Sequence, residues 1–164
     1  MTALVSAVRW VVVRRSAQDT LHIVNDIELL EPLERKARSV EVHPGTDVEG
    51  GTDADGWYSI VGRLGRLVPW EGHFSYHRHD AGWHSQDLQT RADGWRISGG
   101  FLVSPIDATT CRVTHYEDYR LPHRLRWLRV PLTVYMRRSQ VGEMRDLIRL
   151  VEGAAPVPVE QPAG

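Results

Sequence analysis

The amino-acid sequence predicts an α+β domain: a curved, seven-stranded antiparallel sheet wrapped around one long C-terminal helix, with two short helices after the first strand. Two observations carry this expectation. β segments separated by turn residues fill most of the chain up to Leu121, and from Leu125 the apolar period changes to a helical one. An antiparallel sheet of that size needs one face covered, and the last helix is the one long amphipathic element available to cover it.

The first strand is read at Ser6–Arg15, a run rich in β-branched and aromatic residues. Ser16 is placed to cap a helix, with Asp19 in its first turn. Leu21, Ile23, Val24, Ile27, Leu30 and Leu33 follow at near-helical spacing, and Pro32 divides this stretch into two short helical pieces. A second strand covers Ala37–His43, and Pro44–Gly56 is a loop rich in Gly and Asp. Five more strands follow at Trp57–Val68, Glu71–His79, Trp83–Thr90, Trp95–Ser104 and Cys111–Leu121. Their separators, such as Asp80-Ala81-Gly82 and Ala92-Asp93-Gly94, suit tight turns because Gly accepts positive φ and Asp bonds back to its own backbone. Gly99-Gly100 inside a strand marks a bend or the close approach of another backbone.

In the last segment Leu125, Leu128, Leu132, Tyr135, Met136, Met144, Leu147, Ile148 and Val151 form the apolar stripe. Arg137, Arg138, Glu143, Arg145, Asp146 and Arg149 are assigned to the opposite, solvated face. Pro131 either starts this helix in its first turn or kinks it, and Gly153 is expected to cap it. Residues 1–153 therefore read as one domain. The Pro- and Ala-rich tail, 154–164, is too poor in apolar bulk to fold.

A net charge of -1 over 164 residues gives no reason to expect nucleic acid or an anionic membrane as partner. No stretch approaches the ~20 apolar residues of a membrane span. Cys111 is the only cysteine, which rules out an intrachain disulfide and a thiolate metal cluster and fits a reducing cytoplasm.

Three stretches resemble the superfamily of START domains, the birch-pollen-allergen fold and polyketide cyclases, often called SRPBCC. Ile23–Val42 is similar to that family's helix pair running into the second strand. Gly94–Pro122 is similar to its W-x-x-x-G-G-F strand, turn, T-x-V-x-H-x-E-x-Y strand and Leu-Pro, and the C-terminal helix completes the match. The resemblance implies a helix-grip fold with a ligand cavity between sheet and helix. It further implies a hydrophobic, polyketide-like ligand, no organic cofactor or metal, and a monomer or homodimer. The family holds cyclases and also non-catalytic carriers. The segment Val24–Pro32 resembles its quinone-binding members, so a lipid, quinone or isoprenoid carrier stands as the alternative to a cyclase, dehydratase or isomerase.

Alternation along the last strand puts His115, Glu117 and Tyr119 on one face and the more charged set Arg112, Thr114, Tyr116, Asp118 and Arg120 on the other. Turning the second set to solvent points the first into the cavity. A histidine, a carboxylate and a phenol on one wall suit proton transfer in enolisation, aldol closure or dehydration. These three are the candidate catalytic residues, weighed against a polar patch that merely satisfies its own hydrogen bonds.

Tyr58, Phe74, Tyr76, Phe101 and Tyr135 are the candidate ligand-binding aromatic residues, with Tyr76 orienting the ligand. Arg63 and Asp87, charged and mid-strand, are candidate polar anchors, each weighed against an ordinary surface charge. His73, His77 and His79 share one side of their strand. Phe74 and Tyr76 are its natural inward residues, so the histidines are expected outside, and no zinc- or iron-binding spacing accompanies them.

Overall fold

The computed structural model describes residues 3–30, 33, 37–45, 54–64, 68–88 and 95–154. Its elements run β1 (Ala3–Val13), α1 (Ala17–Val24), α2 (Ile27–Leu30), β2 (Ala37–Pro44), β3 (Gly56–Leu64), β4 (Val68–His79), β5 (Gly82–Asp87), β6 (Arg96–Pro105) and β7 (Cys111–Leu121). A 3-10 helix (His123–Leu128) and α3 (Arg129–Gly153) follow. The strands form one seven-stranded sheet in the order β1-β7-β6-β5-β4-β3-β2. Every neighbouring pair is antiparallel. This is the predicted architecture, with Val68 now opening β4 rather than ending the strand before it.

Successive strands from β2 to β7 pair with their chain neighbours through turns, a local arrangement that the Gly/Asp separators favour. The exception is β1, which returns beside β7 in an unbroken register from Ala3↔Leu121 to Val13↔Cys111. α3 lies against β1 and touches β7, whereas α1 covers β6 and the edge of β7. Between helices and sheet sits the core, with Trp83, Tyr76, Ile60, Met136, Met144 and Leu147 all essentially inaccessible to water. The outward residues Leu4, Val8, Trp10 and Val12 of β1 remain exposed, with the Arg112 guanidinium over the Trp10 ring at 5.1 Å. No described helix is long and apolar enough to cross a membrane.

The helix ends depart from the sequence reading in two places. Ser16 caps α1 as expected, its hydroxyl accepting from the Asp19 amide at 3.1 Å. The break between the two short helices falls at Asn25-Asp26, upstream of Pro32, because Asp26 caps the second piece by accepting from the Leu29 amide at 3.2 Å. Pro32 itself lies outside the described residues. Pro131 is the third residue of α3, in the first turn, where a missing amide proton costs nothing. Gly153 is the last helical residue rather than the cap; Ala154, extended at φ -70 and ψ 146, takes that place. A left-handed glycine is unnecessary there because the Arg15 guanidinium donates to the carbonyls of Val151 (2.7 Å) and Ala154 (2.8 Å). A cation at a helix C-terminus is favoured by the macrodipole as well.

Gly100 allows β6 to approach β5 closely. A Cβ at this position would meet the Trp83 carbonyl oxygen at 2.1 Å, so the two backbones pass closer than any side chain permits. Trp83 cannot retreat, because its indole nitrogen donates to the Val24 carbonyl at 2.8 Å and ties β5 to α1. Gly100→Ala is therefore expected to destabilise the fold by about 1–3 kcal/mol, the usual range for overpacking a tight site. Urea unfolding measures it; an unchanged midpoint would show that the strands can separate without cost.

Candidate functional site

Burial alternates strictly along β7, with Cys111, Val113, His115, Glu117, Tyr119 and Leu121 inward. His115 (3%), Glu117 (4%) and Tyr119 (4%) are thus core residues despite their polarity. The Phe101 ring stacks on the His115 imidazole with centroids 4.3 Å apart and planes 4° from parallel, fixing the ring from the β6 side. The Tyr119 hydroxyl donates to Glu117 Oε1 at 3.4 Å. His115, Glu117, Tyr119, Tyr58, Phe74 and Phe101 all line one internal cavity of about 30 Å³. Six of the ten residues singled out by sequence therefore meet in one place.

α3 supplies two partners that the sequence reading missed. Glu143, assigned above to the solvated face, is 3% exposed, and its Oε2 lies 3.7 Å from His115 Nδ1. Gln140, 1% exposed, donates from Nε2 to the Ala7 carbonyl (3.2 Å) and to Glu117 Oε2 (3.4 Å). Ser139 Oγ donates to Glu143 Oε1. The correction has a geometric cause. Met136, Gln140, Glu143, Leu147 and Val151 follow one another at steps of three or four, so they share one buried stripe whatever their polarity. That spacing was the available signal; sorting the helix by charge concealed it.

The other four candidates lie elsewhere. Tyr76 is buried but lines a second, open pocket of about 420 Å³, shared with His22, Asn25, Ile27 and Arg78. The Arg78 guanidinium stands 5.0 Å from its ring centroid. The rings of Tyr76 and Tyr58 are 6.3 Å apart, so adjacent tyrosines border the outer pocket and the inner cavity. Asp87 is neither mid-strand nor a surface charge: it ends β5 and is 3% exposed, on the same face as Trp83 and Ser85, without being one of the residues that line the cavity. Tyr135 is half-buried on α3 and does not reach the cavity. The backbone of Arg63 pairs with Pro69, while its side chain lies outside the described residues.

The histidines of β4 face outward, with Phe74 and Tyr76 inside. His73 pairs with exposed Glu71 at 3.1 Å. Across β5, His84 Nδ1 lies 3.0 Å from the Tyr116 hydroxyl. Among the described residues, one group of three ligand-type side chains converges: His115, Glu117 and Glu143, with donor atoms all within 4.8 Å of one another. Cys111 is a packing residue, its sulfhydryl 3.2 Å from Thr20 Oγ1, and burial pushes the thiol up from its ordinary pKa.

No protein-family model matches the chain, and no curated protein matches its sequence. Solved structures do. Norcoclaurine synthase from Thalictrum flavum, in complex with dopamine and hydroxybenzaldehyde, superposes with a TM-score of 0.67 at 16% identity, over 95% of this chain and 91% of that one. A protein from Thermus thermophilus gives 0.70 at 17% identity, over 93% and 99%. An aromatase/cyclase from a Streptomyces species gives 0.66 at 14% identity, over 92% and 94%. The chain has the helix-grip fold. At these identities the likeness establishes the fold, and the chemistry of this chain has to be argued from its own cavity.

Burial, and then the neighbouring His77, hold the pKa of His84 below its ordinary value of 6.5. The unfolded chain therefore binds a proton at this site more readily than the folded one. Its contribution makes stability fall as the pH drops below about 6.5. Denaturant unfolding at pH 7.5 and pH 5 measures the loss, which His84→Gln is expected to reduce; an identical loss in the variant would remove His84 as its source.

Proposed function

We propose that the protein binds a small, oxygenated hydrophobic molecule between sheet and helix and catalyses proton transfer on it, in a cyclisation, dehydration or isomerisation. The observation that carries this reading is the buried group His115, Glu117 and Tyr119 on one cavity wall, backed by Glu143 and Gln140 from α3. Shielding a lipid or quinone from water needs apolar walls and perhaps one polar anchor. Placing two carboxylates and an imidazole in the core costs folding energy that a carrier has no use for. Solved structures of like fold that include a synthase and an aromatase/cyclase support the enzymatic reading.

In this reading His115 and Glu117 exchange protons with the substrate, and the Tyr119 hydroxyl, already donating toward Glu117, steadies developing negative charge on oxygen. The cavity of about 30 Å³ holds one or two waters, whereas small-molecule sites commonly span ~300–1,000 Å³. Substrate therefore enters by displacing aromatic side chains. Tyr58 and Tyr76, bordering the inner cavity and the open outer pocket, are the side chains placed to move.

The test is to make His115→Asn, Glu117→Gln and Tyr119→Phe separately and to assay linear β-ketothioesters for both binding and turnover. Binding is expected to survive while turnover falls ~10²–10⁴-fold for His115 and Glu117, the usual worth of a positioned acid or base. Turnover that survives all three changes would show that the chemistry, if any, lies elsewhere.

A further inference from the structure

We propose that His115, Glu117 and Glu143 form a binding site for one divalent transition-metal ion, of which zinc is the simplest case. The inference rests on the reading above, that the β7 wall is the working site; with the ion bound, His115 and Glu117 would hold it instead of exchanging protons themselves. Three independent features point to it.

The first is geometry. His115 Nδ1 and Glu143 Oε2 are 3.7 Å apart, wider than a hydrogen bond. Two ligands on a tetrahedral zinc, with bonds of about 2.0–2.2 Å, sit about 3.3 Å apart, so this pair needs only a few tenths of an ångström. The widest separation in the group, 4.8 Å, closes by roughly 1.5 Å, within the reach of a glutamate rotamer.

The second is charge. Among the described residues the buried carboxylates and histidines are Asp87, Glu117, Glu143 and His115, and no Arg or Lys is buried. Two carboxylates in one dry site require compensation, by protons or by a cation. A neutral imidazole, two carboxylates and a divalent ion sum to zero.

The third is the support behind each ligand. Ser139 holds Glu143 by Oε1 and leaves Oε2 toward His115, while Gln140 holds Glu117 by Oε2. Metal-binding carboxylates are characteristically fixed by such outer hydrogen bonds. Three protein ligands would leave a further position open. His115 and Glu117 both line the cavity, so that position faces the space where a water or a substrate oxygen would sit. The side-chain types, one imidazole and two carboxylates, suit zinc, manganese or cobalt rather than copper(I) or an iron–sulfur cluster.

The experiment titrates the chelator-treated, full-length protein with zinc, and separately with cobalt, in the absence of any substrate. One equivalent of zinc is expected to bind and to raise the melting temperature. Glu117→Gln and Glu143→Gln should each weaken binding by about tenfold or more, while Asp146→Asn on the same helix leaves it unchanged. Cobalt in the wild-type protein should give the visible absorption of a low-coordinate N/O site and lose it on addition of zinc, a readout that does not depend on the variants folding. Zinc uptake no greater than that of the Glu117→Gln/Glu143→Gln double variant, or a cobalt spectrum matching the hydrated ion, overturns the site. Uptake and turnover fail separately: metal bound without turnover keeps the site and sinks the enzymatic reading, and turnover without metal uptake keeps the enzymatic reading and sinks the site.

Discussion

The pairing of β1 with β7 is the contact on which the rest of the molecule depends. It joins the two ends of the folded unit through an eleven-residue antiparallel ladder, whereas every other strand pairs with its immediate neighbour in the chain. Closing so long a loop has an entropic cost that only a long, continuous register can offset. The β-branched run Val11-Val12-Val13 and the inward residues Val5 and Ala7 supply that register. Once β1 lies beside β7, α3 can settle on β1 and present its buried stripe to the inner face of β7. Glu143 then comes to His115 and Gln140 to Glu117, while Gln140 simultaneously holds the Ala7 carbonyl of β1. The site is thus a consequence of the one long-range pairing in the sheet.

This position explains why the site can be dry. Polar side chains on an open sheet face would be hydrated. Here the helix covers one side, Phe101 stacks on the imidazole from β6, and the aromatic rings of Tyr58 and Phe74 close the floor. Electrostatic interactions strengthen in such surroundings, and so does the cost of leaving any of them unmet. A fold selected for stability alone would have replaced the group with leucine and phenylalanine. The histidines of the outer face make the contrast. His73, His77 and His79 are half-exposed or exposed, meet surface partners such as Glu71, and bring no third ligand within reach among the described residues.

Much of this was legible in the sequence because period-two alternation is a local property. β7 shows it most plainly: the charged set Arg112, Asp118 and Arg120 had to face water, which forced His115, Glu117 and Tyr119 inward. Phe74 and Tyr76 settled the facing of β4 in the same way. Helix faces are harder, because a helix buries whichever stripe meets its partner, and the partner of α3 is set by the distant β1–β7 ladder. Glu143 was sorted by its charge and belonged by its spacing. Asp87 was hidden for a related reason, since its burial depends on where β5 ends. The size of the cavity was not legible at all: it depends on how fully Trp83, Tyr58 and Phe101 fill the concavity, a sum over rotamers that no pattern in the chain records.

The small cavity also bears on how such a site works. An interior that already holds a large, permanent void carries the cost of its missing contacts in the unliganded state. This interior is nearly filled, and five of the residues that line the cavity are aromatic: Tyr58, Phe74, Trp83, Phe101 and Tyr119. Tyr58 touches Phe74, Tyr76 and Trp83 through their rings, at centroid distances from 5.3 to 6.3 Å. In the proposed reading, a shift of one ring opens space beside the next, from the outer pocket at Tyr76 toward the polar wall at His115. Trp83 stays fixed by its bond to the Val24 carbonyl, so the path has one rigid side and one yielding side. In that reading, room for a ligand is made only when a ligand supplies the contacts that the displaced rings give up, which keeps bulk water from His115, Glu117 and Glu143 in the meantime.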